Sequence, residues 1–168
     1  MGFTQNKIKN QGFTIVELLI VVVVIAILAA ITIVSYNGIT NRANGSAAAS
    51  NAANVLKKAE LYATDDTTTD GYPTGAALVL AANSAKAYYV NGITLTTANP
   101  DSSNGKTTVG YLRCAASGTP SGQAAITNAV GARIAYWDFS ASPAAIKYLY
   151  AGSVTAGNFT TALCPSAA

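Results

Sequence analysis

Histidine is missing from this 168-residue chain, which removes the commonest general base near neutral pH and the commonest transition-metal ligand. Only two cysteines are present, Cys114 and Cys164, too few for a structural zinc site, which takes four ligands. Charged residues are 10% of the chain and the formal net charge is +3, so net charge signals no polyanion partner. The cations Lys57, Lys58, Lys86, Lys106, Arg113, Arg133 and Lys147 are scattered rather than run together. With Tyr88, Tyr89, Tyr136, Trp137, Tyr148 and Tyr150 as stacking groups they make a diffuse candidate surface for single-stranded nucleic acid, but strand aromatics more often fill a core. Asp65, Asp66 and Asp70 are close in sequence, yet they lack the alternating oxygens and the bidentate Glu of a calcium loop and read as a solvated turn. The expectation is no metal, no cofactor, no nucleic-acid partner and no enzymatic activity.

What the chain does have is one long apolar run. From Phe13 to Val34 it holds about 22 residues, or roughly 33 Å of helix, against a bilayer hydrocarbon core of about 30 Å. Past Glu17 only Thr32 interrupts it. Lys7 and Lys9 precede the run with no acid among the first twelve residues, so the positive-inside rule keeps the N-terminus cytoplasmic and sends the bulk of the chain outside. A cleaved secretory signal has a shorter apolar region with its small-residue processing site on the far side. Here the small residue, Gly12, lies on the near side, where a cut leaves the whole apolar helix on the mature protein. Glu17 stands inside that helix, and a carboxylate at a bilayer centre costs roughly 2.5–3.5 kcal/mol on insertion scales, which makes it a functional candidate. The plainer reading is an uncleaved signal anchor with Glu17 near the membrane surface.

Gln11-Gly12-Phe13-Thr14-Ile15-Val16-Glu17-Leu18 resembles the processing site of the type IV pilin family, which includes the pseudopilins of type II secretion and the competence pilins. The resemblance implies a leader, residues 1–12, removed by a prepilin peptidase that cuts between Gly12 and Phe13 and methylates the Phe13 amine. It also implies that Phe13 and Glu17 guide assembly, and that the chain forms a homopolymer through residues 13–34, drawn from the membrane by a pilus assembly platform with minor pilins. A Glu buried in an assembled bundle needs a partner. The cation at that depth is the α-ammonium of Phe13, in the same subunit or a neighbour. Loss of Lys7 and Lys9 with the leader lowers the formal charge to +1. The function expected from the resemblance is a structural prepilin, polymerised from the cytoplasmic membrane into an extracellular type IV pilus. The alternatives are a pseudopilin of a type II secretion or competence system and a membrane-anchored binding protein that never polymerises. Many family members carry a Pro two residues before the position of Tyr36 and a Gly midway along the run. This chain has Val34 and Ala26 there, so a more continuous helix is expected.

The helical pattern continues beyond Tyr36, with Ile39, Ala43, Ala47, Ala49, Ala52, Ala53, Leu56, Ala59 and Ala63 at spacings near three and four. One helix is therefore expected from about Phe13 to Tyr62 or Ala63, in a filament-core part (13–35) and an amphipathic part (36–64). Gly38 and Gly45 are candidate flexible points, each costing roughly 1 kcal/mol relative to Ala. An αβ-loop follows (65–87), with a short helix near Ala76–Ala82. Four strand-like segments, Tyr88–Thr96, Thr107–Ala115, Ala132–Phe139 and Ala145–Tyr150, lie within residues 88–151. The expected fold is α+β, the pilin fold: a long N-terminal helix whose apolar half protrudes and an antiparallel four-stranded sheet packed on its C-terminal half. Cys114 and Cys164 fall on the side sent outside the cytosol, where disulfides persist, and are expected to bond, against a rival reading of two free thiols. Their loop of about 50 residues adds roughly 4 kcal/mol in the chain-entropy model and pins the tail, residues 152–168; the spacing resembles the disulfide-bounded loop of pilins.

Overall fold

The computed structural model describes residues 12–65, 71–118, 120–160 and 163–165, and the chain divides into two compact units between Ile39 and Thr40. Helix α1 (Ile15–Ala63) runs for 49 residues and passes through Ala26 and Val34 without a break. Its apolar part contains no Pro and no Gly, so each backbone N–H past the first turn can donate to the carbonyl four residues before it.

In the second unit, α1 presents Gly45, Ala48, Ala52, Val55 and Ala59 to the interior, spaced alternately by three and four residues. The architecture is α+β, a four-stranded sheet packed on this face of the helix. Val55, Ala52 and Ala59 share one core with Val109, Ile134 and Leu78. The expected face is thus partly rotated. Ala52 and Ala59 are buried, whereas Ile39, Ala43 and Ala47 are exposed and Val55 takes a core position. Alanine is plentiful all round this segment, so hydrophobic period alone does not select a face. Gly45 is a packing position rather than a flexible point: a Cβ there would stand 3.0 Å from Asp138 Oδ1 and 3.1 Å from the Ser140 Cβ. At Gly38 nothing lies within 4 Å.

The sheet contains β1 (Thr94–Thr96), β2 (Thr108–Cys114), β3 (Gly131–Asp138) and β4 (Ala145–Gly152), in the order β1-β2-β3-β4. β2–β3 and β3–β4 are antiparallel, but β1 pairs parallel with β2, Thr94 opposite Thr108, so the sheet is mixed rather than wholly antiparallel. The link between β1 and β2 is not a hairpin; it crosses over the sheet and re-enters in the same direction. Glycines make room for it. A Cβ on Gly110 would meet the Ala98 carbonyl at 2.8 Å, and one on Gly105 would meet the Trp137 Cβ at 2.5 Å.

β1 is also shorter than the expected strand from Tyr88. Tyr88 and Val90 are buried, but as loop residues: the Tyr88 ring stands edge-on to Tyr62 at 4.8 Å, Val90 N donates to the Leu78 carbonyl, and Gly92 at φ +73° turns the chain before β1. Helix α2 (Gly75–Val79) starts at Thr74, whose hydroxyl accepts from Ala77 N, and a 3-10 turn follows at Ala81–Asn83. Both faces of β2 are covered, Val109 and Tyr111 toward α1, and Leu112 and Cys114 in a second cluster with Val154 and Cys164.

Candidate functional site

The head of α1 is built by two side chains. Thr14 N and Thr14 Oγ1 both donate to Glu17 Oε2 at 2.8 Å, and Glu17 N donates back to Thr14 Oγ1 at 3.2 Å. This is a reciprocal capping box, which satisfies backbone donors that the first helical turn leaves without partners. Leu18 N donates to the Thr14 carbonyl, so Thr14 supplies the first rung of the ladder. Gly12 and Phe13 precede the helix and are exposed, Phe13 at 84%. Thr14 has no role in the sequence-based expectations, although Thr-x-x-Glu before an apolar run announces this cap. Glu17 therefore sits in the first turn of the helix with its carboxylate turned back toward the residue that follows Phe13.

Beyond Glu17 the large apolar side chains through Val34 are all exposed, from 48% at Val24 upward, with Ile15 at 87% at the head. Burying each such side chain is worth about 1.5–3 kcal/mol, so leaving them all in water forfeits tens of kcal/mol. Lipid or other apolar helices must cover this surface. Thr32 fits either environment, because its hydroxyl donates to the Ala29 carbonyl at 2.9 Å and needs no outside partner.

In the second unit a disulfide joins Cys114 on β2 to Cys164, and both cysteines are fully buried. The tail is held on either side of this bond. Ala115 N donates to the Leu163 carbonyl at 2.9 Å, and Gln123 Nε2 donates to the Pro165 carbonyl at 2.6 Å. Gln123 also reads Arg113 as a neighbouring strand would, accepting from its N–H at 2.8 Å and donating to its carbonyl at 3.1 Å, which closes this stretch of the β2 edge.

Four of the seven cations considered for nucleic acid, Lys58, Arg113, Arg133 and Lys147, are engaged internally. Arg113 is buried and its guanidinium donates to the Gln123 carbonyl; Lys58 donates to the Ala87 carbonyl; Lys147 pairs with Asp138 at 2.7 Å. Arg133 lies between the rings of Tyr148 and Phe159, 4.7 and 4.5 Å from their centres, and burial lowers its pKa. Hydrogen bonds from Lys147 and Ser140 hold the Asp138 carboxyl down at about 2. Of the Asp65–Asp70 cluster only Asp65 lies within the described residues. Among the described residues no group of three His, Cys, Asp or Glu side chains comes together as a metal site.

An apolar helical segment of membrane length, exposed along its whole run and with one capped acid at its head, fits membrane anchoring. Residues 7–33 match the family described as the prokaryotic N-terminal methylation motif, and the chain accordingly carries the class III signal peptide of type IV pilins and pseudopilins. That motif supports a type IV pilin-like prepilin or pseudopilin and implies processing by a prepilin peptidase. No curated protein and no solved structure matches the chain.

Proposed function

We propose that this chain is a prepilin: it is cut between Gly12 and Phe13, methylated at Phe13, held in the cytoplasmic membrane with its N-terminus inside, and polymerised into an extracellular type IV pilus. One observation carries the reading. The apolar part of α1 is uncovered along its length and begins, immediately after Gly12–Phe13, with an acid held at the helix head. In the membrane that segment is the anchor; in a fibre, with residues 13–34 of many copies side by side, it is the core. Glu17 docks the incoming subunit by pairing with the Phe13 ammonium, and the disulfide-closed second unit forms the outer surface. The protein is not an enzyme.

Two replacements test the reading in cells that carry a prepilin peptidase and an assembly platform. Gly12→Leu leaves a full-length chain and no fibres; normal maturation of that variant contradicts the assigned cleavage point. Glu17→Val is inserted and cut but yields at least about tenfold fewer fibres, since breaking a buried pair costs about 3–5 kcal/mol. Wild-type numbers of filaments from it would remove the pairing. Short fibres seen only on overproduction of a secretion machine would assign the chain to a pseudopilus instead.

A further inference from the structure

The two halves of the capping box touch different atoms. Thr14 Oγ1 accepts from the backbone N–H of residue 17, a bond that does not need the side chain there, whereas the Glu17 carboxylate accepts from Thr14 N–H and O–H. The first bond sets where α1 begins. With Thr14 as the cap, the helix starts at Ile15 and the Gly12–Phe13 amide lies outside it, exposed. Hydrolysis adds water across that amide, breaking the C–N bond to leave a Gly12 carboxyl and a Phe13 amine. A carbonyl wrapped into a helical turn is shielded from such attack by the ladder around it.

We propose that Thr14 is the positioning residue for processing: its hydroxyl stops α1 short of Gly12–Phe13 and presents that amide to the peptidase. The inference rests on the cleavage reading above. Without the cap the helix can begin up to a turn earlier, and the Gly12 carbonyl is then drawn into its first turn. Gly12 opposes the same extension, because glycine is about 1 kcal/mol less favourable than alanine within a helix. Thr14 thus serves cleavage and Glu17 serves assembly from one capping box.

The test is a pulse-chase of the full-length chain in membranes containing a prepilin peptidase, with cleavage rates read on the carbonate-resistant fraction. Thr14→Ser and Thr14→Asn keep a capping oxygen and are cut at the wild-type rate, as is Glu17→Val, which keeps the backbone bond to Thr14. Thr14→Val, the same shape without the hydroxyl, is cut about fivefold more slowly, the change in population that a cap worth about 1 kcal/mol controls. A wild-type rate for Thr14→Val overturns the proposal, as does a slow rate for both Ser and Asn variants, which would mean that the peptidase reads the threonine side chain itself. Failure to cut the wild-type chain removes the cleavage reading and this proposal with it; slow or fast variants beside a normally cut wild type bear on the proposal alone.

Discussion

Glu17 and Asp138 are held by short networks of neighbouring side chains. At Glu17 the network is Thr14, two bonds to one oxygen; at Asp138 it is Ser140 and Lys147, with Oδ1 accepting from Ser140 N at 2.9 Å and Ser140 Oγ at 2.5 Å while Oδ2 meets Lys147. The Asp138 side chain is 7% exposed, so its environment is protein rather than solvent, and its carboxyl titrates at about 2 against an ordinary 3.8. A depressed folded value means that Asp138 stabilises the fold fully above the unfolded value and loses that contribution as pH falls through about 2. In acid unfolding of the detergent-solubilised chain, Asp138→Asn is less stable than wild type at neutral pH by about 1–3 kcal/mol, and the gap closes between pH 4 and pH 2. A gap that does not change with pH over that window would show that the charge on Asp138 is not what stabilises the turn. Glu17 was legible in the sequence as the misplaced acid of an apolar helix. Its bond to Thr14 was legible too, as a capping pattern, but a search for a distant cation passes over a partner three residues away.

At the scale of elements, α1 and the loop over the sheet are both positioned by glycines. Gly45 lets the β3–β4 turn approach the helix backbone, and Gly110 and Gly105 let the β1–β2 link lie across the sheet. Gly45→Val forces Asp138 and Ser140 aside and lowers stability by about 1–3 kcal/mol, or a few degrees of thermal midpoint. Ala47→Val, on the exposed side half a turn away, changes it by less than about 0.5 kcal/mol. Equal effects on thermal melts would contradict the assigned buried face. The continuous helix was legible because its apolar part, from Ile15 to Val34, has neither Pro nor Gly. Its buried face was not, since Ala43, Ala47, Ala52 and Ala59 look alike in sequence and only packing separates them. The parallel β1–β2 pair was hidden for a related reason: strand character says nothing of direction, and the close approach at Gly110 that permits the crossover is a tertiary fact. The disulfide was legible from two cysteines and from the basic flank at Lys7 and Lys9, which by the positive-inside rule sends them out of the cytosol. Replacing Cys114 and Cys164 by Ser releases the tail from the Leu112–Val154 cluster and costs about 2–5 kcal/mol, measured by urea unfolding against the oxidised parent. Loss of less than about 1 kcal/mol would mean that Gln123 and Leu163 hold the tail alone.

For the whole molecule, the decisive asymmetry is between a second unit that buries its own core and an apolar helical segment that buries nothing of its own. The second unit has Val55, Leu78 and Ile134 at its centre and a disulfide at its edge; the apolar part of α1 has only Glu17 and Thr32 to interrupt it and depends on lipid or on other apolar helices. That dependence is what supports reading the chain as a building block. On the proposed reading, copies of this chain, shortened at Gly12, are the substance of a fibre. Mass spectrometry of the main band in fibres sheared from the cell surface tests it most directly. The account predicts an N-terminal peptide that begins at N-methylated Phe13 and a Cys114–Cys164 bridge in the same band. A chain found only in the membrane fraction and still beginning at Met1 would contradict it.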